Sequence, residues 1–438
     1  MGDGTHAAPA GDTLMLPADR SSRGFRRGFA ALLAALSTLG PFSVDTYLPA
    51  FAGIQQSLDT TPLGMQQTLS AYLFAFGVMF LFHGAISDSF GRRPVILVSL
   101  VVFTIASAFA TFASTLHELL VCRVFQGLSV GAGIVVGRAM IRDLFDAADA
   151  QRLMSLVTLF FGLAPAIAPI VGGLLYSVLG WRAIFGFLAV VGALLVVLSA
   201  RALPETLPPK SRQPFHPAAL LAGYREVGIN ARFLLLSLAA GFNFNGFFLY
   251  IVSAPVYLGE HLHLGPQQYA WLFIPGIVGI MTGSQLSGRA AGKLTPYETV
   301  KRGYIFMAVG AGANLAYTLA TEAFGSGPQL PWAVLQMFVY GIGFAMVMPS
   351  ISLLTLEIFP TRRGMAASLQ GFVSGMVNVL TAGLVAPAIY HHPRWLALGM
   401  LVMGALGLFF WLSYLRIARR TVEDPPTILP EPRETNPD

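Results

Sequence analysis

Residues 94–113 read PVILVSLVVFTIASAFATFA, twenty positions without one Asp, Glu, Lys or Arg. Wound into a helix at about 1.5 Å per residue, such a stretch covers roughly the 30 Å of hydrocarbon in a bilayer. Strands of a membrane-crossing barrel alternate apolar and polar over about ten residues, which this run does not do. The rest of the chain repeats the pattern. Apolar segments occupy about 29–53, 66–87, 94–113, 118–141, 154–178, 182–203, 232–258, 268–290, 302–321, 331–356, 363–388 and 395–416, which predicts an all-α membrane protein of twelve transmembrane helices. With 438 residues, 55% hydrophobic and only 11% charged, the chain carries more apolar side chains than a soluble core needs, and the excess faces lipid.

The net charge is +6, from 27 Lys and Arg against 21 Asp and Glu. Their placement matters more than their sum. With the N-terminus set inside, every basic residue except Arg123, Arg182 and Arg394 falls in a cytoplasmic segment or at a cytoplasmic helix end. That bias predicts both termini in the cytoplasm and argues against a basic nucleic-acid face. The single cysteine, Cys122, has no partner for an intramolecular disulfide. Residues 1–28 are polar and no small-residue cleavage site follows a short apolar stretch, so the first helix is expected to stay uncleaved.

The expected organisation is a cytoplasmic tail (1–28), a six-helix bundle (29–203), a cytoplasmic linker (204–231), a second six-helix bundle (232–416) and a disordered cytoplasmic tail (417–438). The linker contains Pro204, Pro208, Pro209, Pro214 and Pro217 with Lys210, Arg212 and Arg225. A faint repeat supports two pseudo-symmetric halves: GAISDSFGRR (84–93), after the second apolar segment, matches SQLSGRAAGK (284–293), after the eighth. Transporters built from structural repeats carry such paired loops, with a substrate site between the halves.

In the first of these loops Gly91 permits a positive φ, Pro94 suits the first turn of the next helix, and Gly84 permits close helix approach. Asp88 can pair with Arg92 or face the positive N-terminal end of a neighbouring helix, and Arg93 adds a second cation. This segment resembles the signature loop of the major facilitator superfamily. Three more stretches are similar to its drug:proton antiporter branch, and more narrowly to bicyclomycin and chloramphenicol resistance exporters: DTYLPA (45–50), RVFQG (123–127), and Ala164-Pro165 with APIVGG (168–173). The resemblance implies a major facilitator fold, Arg123 in proton coupling, the helix bearing Pro165, Pro169, Gly172 and Gly173 in antiport, and the loop of Gly84, Asp88, Gly91, Arg92 and Arg93 in gating. The branch pattern has glycine where Ala168 stands.

The residues carry a reading of their own. An ion at mid-membrane costs about 2.5 to 3.5 kcal/mol on insertion scales, so an intramembrane charge is a functional candidate by default. Asp45 and Arg123 qualify. Asp45 lies about 24 Å along the first segment, in the outer part of the hydrocarbon. It either exchanges a proton there, in competition with a cationic substrate, or meets water and caps a helix break. Arg123 cannot usefully lose its proton, and acts as a fixed charge or holds carbonyls and waters; Gln126 shares its face. Glycines 127, 131, 133 and 137 form small-xxx-small pairs for packing. Gly127-Leu-Ser129-Val-Gly131 matches a hydrolase nucleophile elbow, but not in the strand-turn-helix setting that chemistry needs.

Pro165 and Pro169, followed by Gly172 and Gly173, predict a kinked, closely packed helix. Tyr47, Gln126, Asn243, Asn245, Tyr250, Gln370 and Asn378 are candidates for the cavity wall, with interhelical bonding as the alternative. Phe242 and Phe247 are among the aromatic rings available to such a wall. His83, and the pairs His261 with His263 and His391 with His392, lack the carboxylate constellation of a metal site, and no cofactor or catalytic group is expected. The whole predicts proton-coupled export of small amphipathic compounds by alternating access. Its expected partners are substrate, protons and the lipid of a bacterial inner membrane, for a monomer. An importer or facilitator on the same fold, or a non-transporting membrane sensor, is the alternative.

Overall fold

The computed structural model describes residues 23–290 and 293–423. Twelve helices are long and apolar enough to cross a membrane: Arg27–Ser57, Pro62–Phe90, Arg92–Thr111, Leu116–Leu144, Phe160–Leu179, Arg182–Ala202, Ala231–Val252, Pro266–Ala290, Pro296–Ala323, Trp332–Glu357, Arg363–Ile389 and Pro393–Arg419. They are spans 1 to 12. Among the described residues there is no strand. An even number of spans returns the start of span 1 and the end of span 12 to one face, and the linker after span 6 shares it; this is the tail end, and its opposite the far end. Most of the predicted terminal tails and positions 291 and 292 of the second repeat lie outside the described residues.

Local chemistry sets the helix ends. Thr61 accepts from Gly64 N at 3.1 Å ahead of Pro62, and Thr115 with Glu118, like Thr295 with Glu298, forms a reciprocal capping box. Gly91, at φ 101°, is the whole joint between spans 2 and 3, a conformation that L side chains resist.

Spans 1, 4, 7 and 10 are the interior helices. Their apolar windows are 67%, 67%, 78% and 56% buried, against 39% or less in the others, as a two-fold repeat of six helices requires. Small residues bring neighbouring helices close to them: a Cβ on Gly133 of span 4 would lie 2.5 Å from the Leu36 carbonyl oxygen of span 1, and a Cβ on Gly310 of the outer span 9 would lie 2.7 Å from Tyr340 N of span 10.

Spans 1 and 7 are both interrupted near the far end. Span 1 is helical over Arg23–Asp45, turns, and resumes through Leu48–Ala50 and Phe51–Ser57. Span 7 stops at Val252 and continues through Ala254–Val256 and a wide turn at Tyr257–His261. A proline sits at each break, Pro49 and Pro255, removing a backbone donor.

The halves meet directly at the far end. Gln66 Nε2 of span 2 donates to Val252 O at the end of span 7 (3.0 Å), and Gln267 Nε2 of span 8 donates to Ser177 Oγ of span 5 (2.9 Å). Spans 2 and 11 cross at mid-membrane, where a Cβ on Gly375 would lie 3.2 Å from Gly77 Cα. At the tail end a helix within the linker, Pro217–Gly228, bridges the halves: Tyr224 donates to Leu81 O of span 2 (2.7 Å), while Val227 packs with Ala366 and Leu369 of span 11.

Candidate functional site

The break in span 1 builds the site. In a continuous helix Tyr47 N would bond to Ser43 O, but it bonds instead to Val44 O at 3.2 Å, and the Ser43 carbonyl is released. Arg123 Nη1, from span 4, donates to that carbonyl at 3.3 Å and to Gln126 Oε1 at 2.9 Å. The guanidinium lies between two aromatic faces, its carbon 4.7 Å from the Tyr47 ring centre and 4.3 Å from that of Tyr72. Arg123 is wholly buried, and its Nε and Nη2 make no hydrogen bond among the described residues. Its charge is held by π faces and carbonyl dipoles in place of a carboxylate, an arrangement worth about 2 kcal/mol or more per desolvated ring contact.

The cluster extends outward through neutral groups. Gln126 Nε2 donates to Ser107 Oγ of span 3 at 2.8 Å. Tyr72 donates to Gly40 O at 3.0 Å and shares a 3.0 Å bond with Ser43 Oγ, and the Tyr47 hydroxyl lies 2.6 Å from Thr68 Oγ1.

Asp45 closes the helix, 4% exposed, and forms no ion pair with Arg123. Residue 46, the next one, is the packing surface for span 5: a Cβ on Gly172 would fall on the Thr46 carbonyl, 2.7 Å from its carbon. Its neighbour Gly173 faces the other half, where a Cβ would stand 2.8 Å from the Pro266 carbonyl carbon and 3.2 Å from Gln267 Cα. One glycine pair therefore touches the acid's own turn and the opposite half. Pro165 and Pro169 lie inside a helix that runs without a break from Ala147 to Leu179.

The tail-end loop forms a second polar cluster. Asp88 Oδ1 pairs with Arg92 Nη1 at 2.5 Å, and Arg92 Nε reaches Asp143 Oδ2 of span 4 at 3.2 Å. The N-terminal end of span 3 is capped by Glu205 of the linker, which accepts from Arg92 N (3.0 Å) and Arg93 N (3.3 Å) and lies 3.8 Å from Arg212. The two options for Asp88 thus resolve into its pairing with Arg92, and a different acid takes the helix end. Arg93 Nη2 donates to Ala200 O at 2.6 Å. Gly84 is not sterically demanded, since a Cβ there would make an ordinary 3.8 Å contact with Val135.

The C-terminal half holds amides and phenols. Asn243 Nδ2 donates to the Tyr304 hydroxyl (2.9 Å), and Tyr340 donates to Asn243 O (2.9 Å). Asn245 Nδ2 donates to Asn378 Oδ1 (2.8 Å), Asn314 Nδ2 donates to the Tyr250 hydroxyl (2.7 Å), and Gln370 lies 3.5 Å from Thr355 Oγ1. Asn243, Asn245 and Tyr250 are fully buried, whereas Gln370 and Asn378 of span 11 are half-buried.

Residues 31–382 match the Major Facilitator Superfamily. The chain belongs to that superfamily. It is 32% identical over 362 residues to the bicyclomycin resistance protein homolog of Haemophilus influenzae, covering 82% of this chain and 88% of the relative. It is 30% identical over 389 residues to multidrug resistance protein D of Escherichia coli, covering 87% and 94%. Among solved structures, the POT family transporter PepTSo matches with a TM-score of 0.71 at 13% identity, over 92% of this chain and 99% of that one, a likeness of fold alone. The twelve spans and this membership make it a multi-pass membrane protein of a transporter superfamily.

Residues absent from the sequence reading are Ser43, Thr68, Tyr72 and Ser107 around Arg123, and Asp143 and Glu205 around Arg92. Thr68 and Tyr72, four apart, carried a readable signal as polar tips on one face of an apolar span. Glu205 sits just past the end of span 6, where an acid beside a basic turn was open to notice.

Proposed function

We propose that the protein is a proton-driven exporter of small amphipathic compounds, working as a monomer in a bacterial inner membrane with its tail end in the cytoplasm. Asp45 carries the proton, and Arg123, fixed between Tyr47 and Tyr72, sets the field in which it does so. One observation carries this reading: the turn holding Asp45 is the surface on which Gly172 packs, and Gly173 beside it rests on span 8 of the opposite half. A change of charge at Asp45 is thereby one peptide from the contact that seals the far end. Each proton entering down a potential of 100 mV supplies about 2.3 kcal/mol for outward movement of substrate.

Gln370 and Asn378 are assigned to the substrate cavity. Tyr47, Gln126, Asn243, Asn245 and Tyr250 hold its walls, each with a hydrogen bond to a neighbouring helix, while Asn243 Oδ1 and Asn245 Oδ1 have no partner among the described residues. The loop of Gly84, Asp88, Gly91, Arg92 and Arg93, tied by Glu205 and Asp143, gates the tail end. The relatives named for multidrug and bicyclomycin resistance support the substrate class.

The test is flux of a lipophilic cation in everted vesicles under an imposed pH gradient. Asp45→Asn is expected to abolish gradient-driven uptake while the protein stays folded in the membrane; undiminished uptake would refute the assignment.

A further inference from the structure

Spans 3 and 4 flank a groove of about 680 Å³ near the far end. Its walls are Ile105 and Phe109 of span 3 with Val121 and Phe125 of span 4, between 42% and 67% exposed, on outward faces of the bundle. Such walls match hydrocarbon. Polarity appears only at the groove's far-end rim, in Ser114, His117 and Glu118.

The rim is charged in a particular way. The peptide group joining Ala113 to Ser114 is held on both sides by opposite charges: Arg182 Nη2 donates to its carbonyl oxygen at 3.1 Å, and Glu118 Oε2 accepts its N–H at 2.7 Å. A planar peptide directs these groups oppositely. From those lengths and the width of the peptide, the guanidinium and carboxylate stand on the order of 8 Å apart. Ser114 Oγ and Thr115 N also bond to Glu118 Oε2, leaving Oε1 open to a donor. Arg182 lies over the Trp181 ring and has no carboxylate partner among the described residues.

We infer that this groove is a binding site for a phospholipid with a primary-ammonium zwitterionic headgroup: its ammonium on Glu118, its phosphate on Arg182 and an acyl chain along Phe109 and Phe125. Complementarity to a carboxylate on the trough's rim and a guanidinium one peptide beyond it selects this occupant. A lone amphipathic amine meets Glu118 and leaves Arg182 unmatched, and an anionic lipid does the reverse. The ligand lies in the leaflet at the far end.

Native mass spectrometry of the full chain in detergent, titrated with phosphatidylethanolamine or phosphatidylglycerol, tests this independently of transport. Phosphatidylethanolamine is expected to be retained about tenfold better, the scale of one charged hydrogen bond. Glu118→Gln preserves the helix cap and should erase that preference. Arg182→Gln should lower retention of both lipids, and Val121→Trp, which fills the trough, should release them. Equal retention of both headgroups by the unaltered protein, persistence of the preference in Glu118→Gln, tighter binding of dodecylamine than of either lipid, or dimers joined through this face would each overturn the inference.

Discussion

The two halves share a six-helix plan and differ in what they bury. The N-terminal half encloses an acid and a guanidinium, Asp45 and Arg123, while the corresponding interior of the C-terminal half holds Asn243, Asn245, Asn314, Tyr250, Tyr304 and Tyr340, all neutral. Even the broken helices follow this division, since span 1 stops on an aspartate and span 7 on a valine. Ions inside a membrane are expensive and amides less so, so the contrast puts the costly buried charges in one half and neutral hydrogen-bonding groups in the other.

The sharpest way to break the contrast is Arg123→Ala. It leaves Ser43 O and Gln126 Oε1 without their donor and opens space between two tyrosines. It should eliminate gradient-driven flux and lower stability by about 3 kcal/mol or more, read from thermal unfolding in detergent. Next in size is Gly172→Val, whose side chain has no room beside Thr46. Overpacking of about 1 to 3 kcal/mol is expected, and flux should fall with it. A milder neighbour, Gly173→Ala, should leave the acid's turn alone and bias the halves apart at the far end, seen as faster labelling of a cysteine placed at Gln267.

In the neutral half, Asn314→Leu removes the partner of the Tyr250 hydroxyl, costing about 1 to 2 kcal/mol. Its flux should keep the pH midpoint of the unaltered protein; a shifted midpoint would mean that both halves take part in proton exchange. The smallest effect belongs to Glu205→Gln, which weakens the cap on span 3 by about 0.3 to 1 kcal/mol and should show more clearly as loosened protection of the linker than as lost flux.

Much of the fold was legible because lipid imposes a length. Runs such as 94–113 admit one structure in a bilayer, and each of the twelve segments became a span. Asp45 and Arg123 stood out for the same reason, as charges in an apolar background. Their surroundings were hidden: Tyr72 and Ser107 are unremarkable on spans 2 and 3, and their role depends on which faces meet span 4. Pro49 was visible in DTYLPA, yet the consequence of the turn at Asp45, a freed Ser43 carbonyl answered by an arginine eighty residues away, arises only from the packing of two helices. The competition for the start of span 3 was open in the same way, because linker geometry decides whether Asp88 or Glu205 arrives there.

Where Gly77 meets Gly375, the backbones of spans 2 and 11 approach closely, with the Met376 side chain beside the contact, about halfway along both. A fulcrum in that position gives lever arms of similar reach toward each mouth, so any swing that parts Gln66 from Val252 brings the opposite rims together by a comparable distance. The geometry leaves little room for both doors to stand open at once, and a leak through the middle is discouraged by mechanics as well as by chemistry.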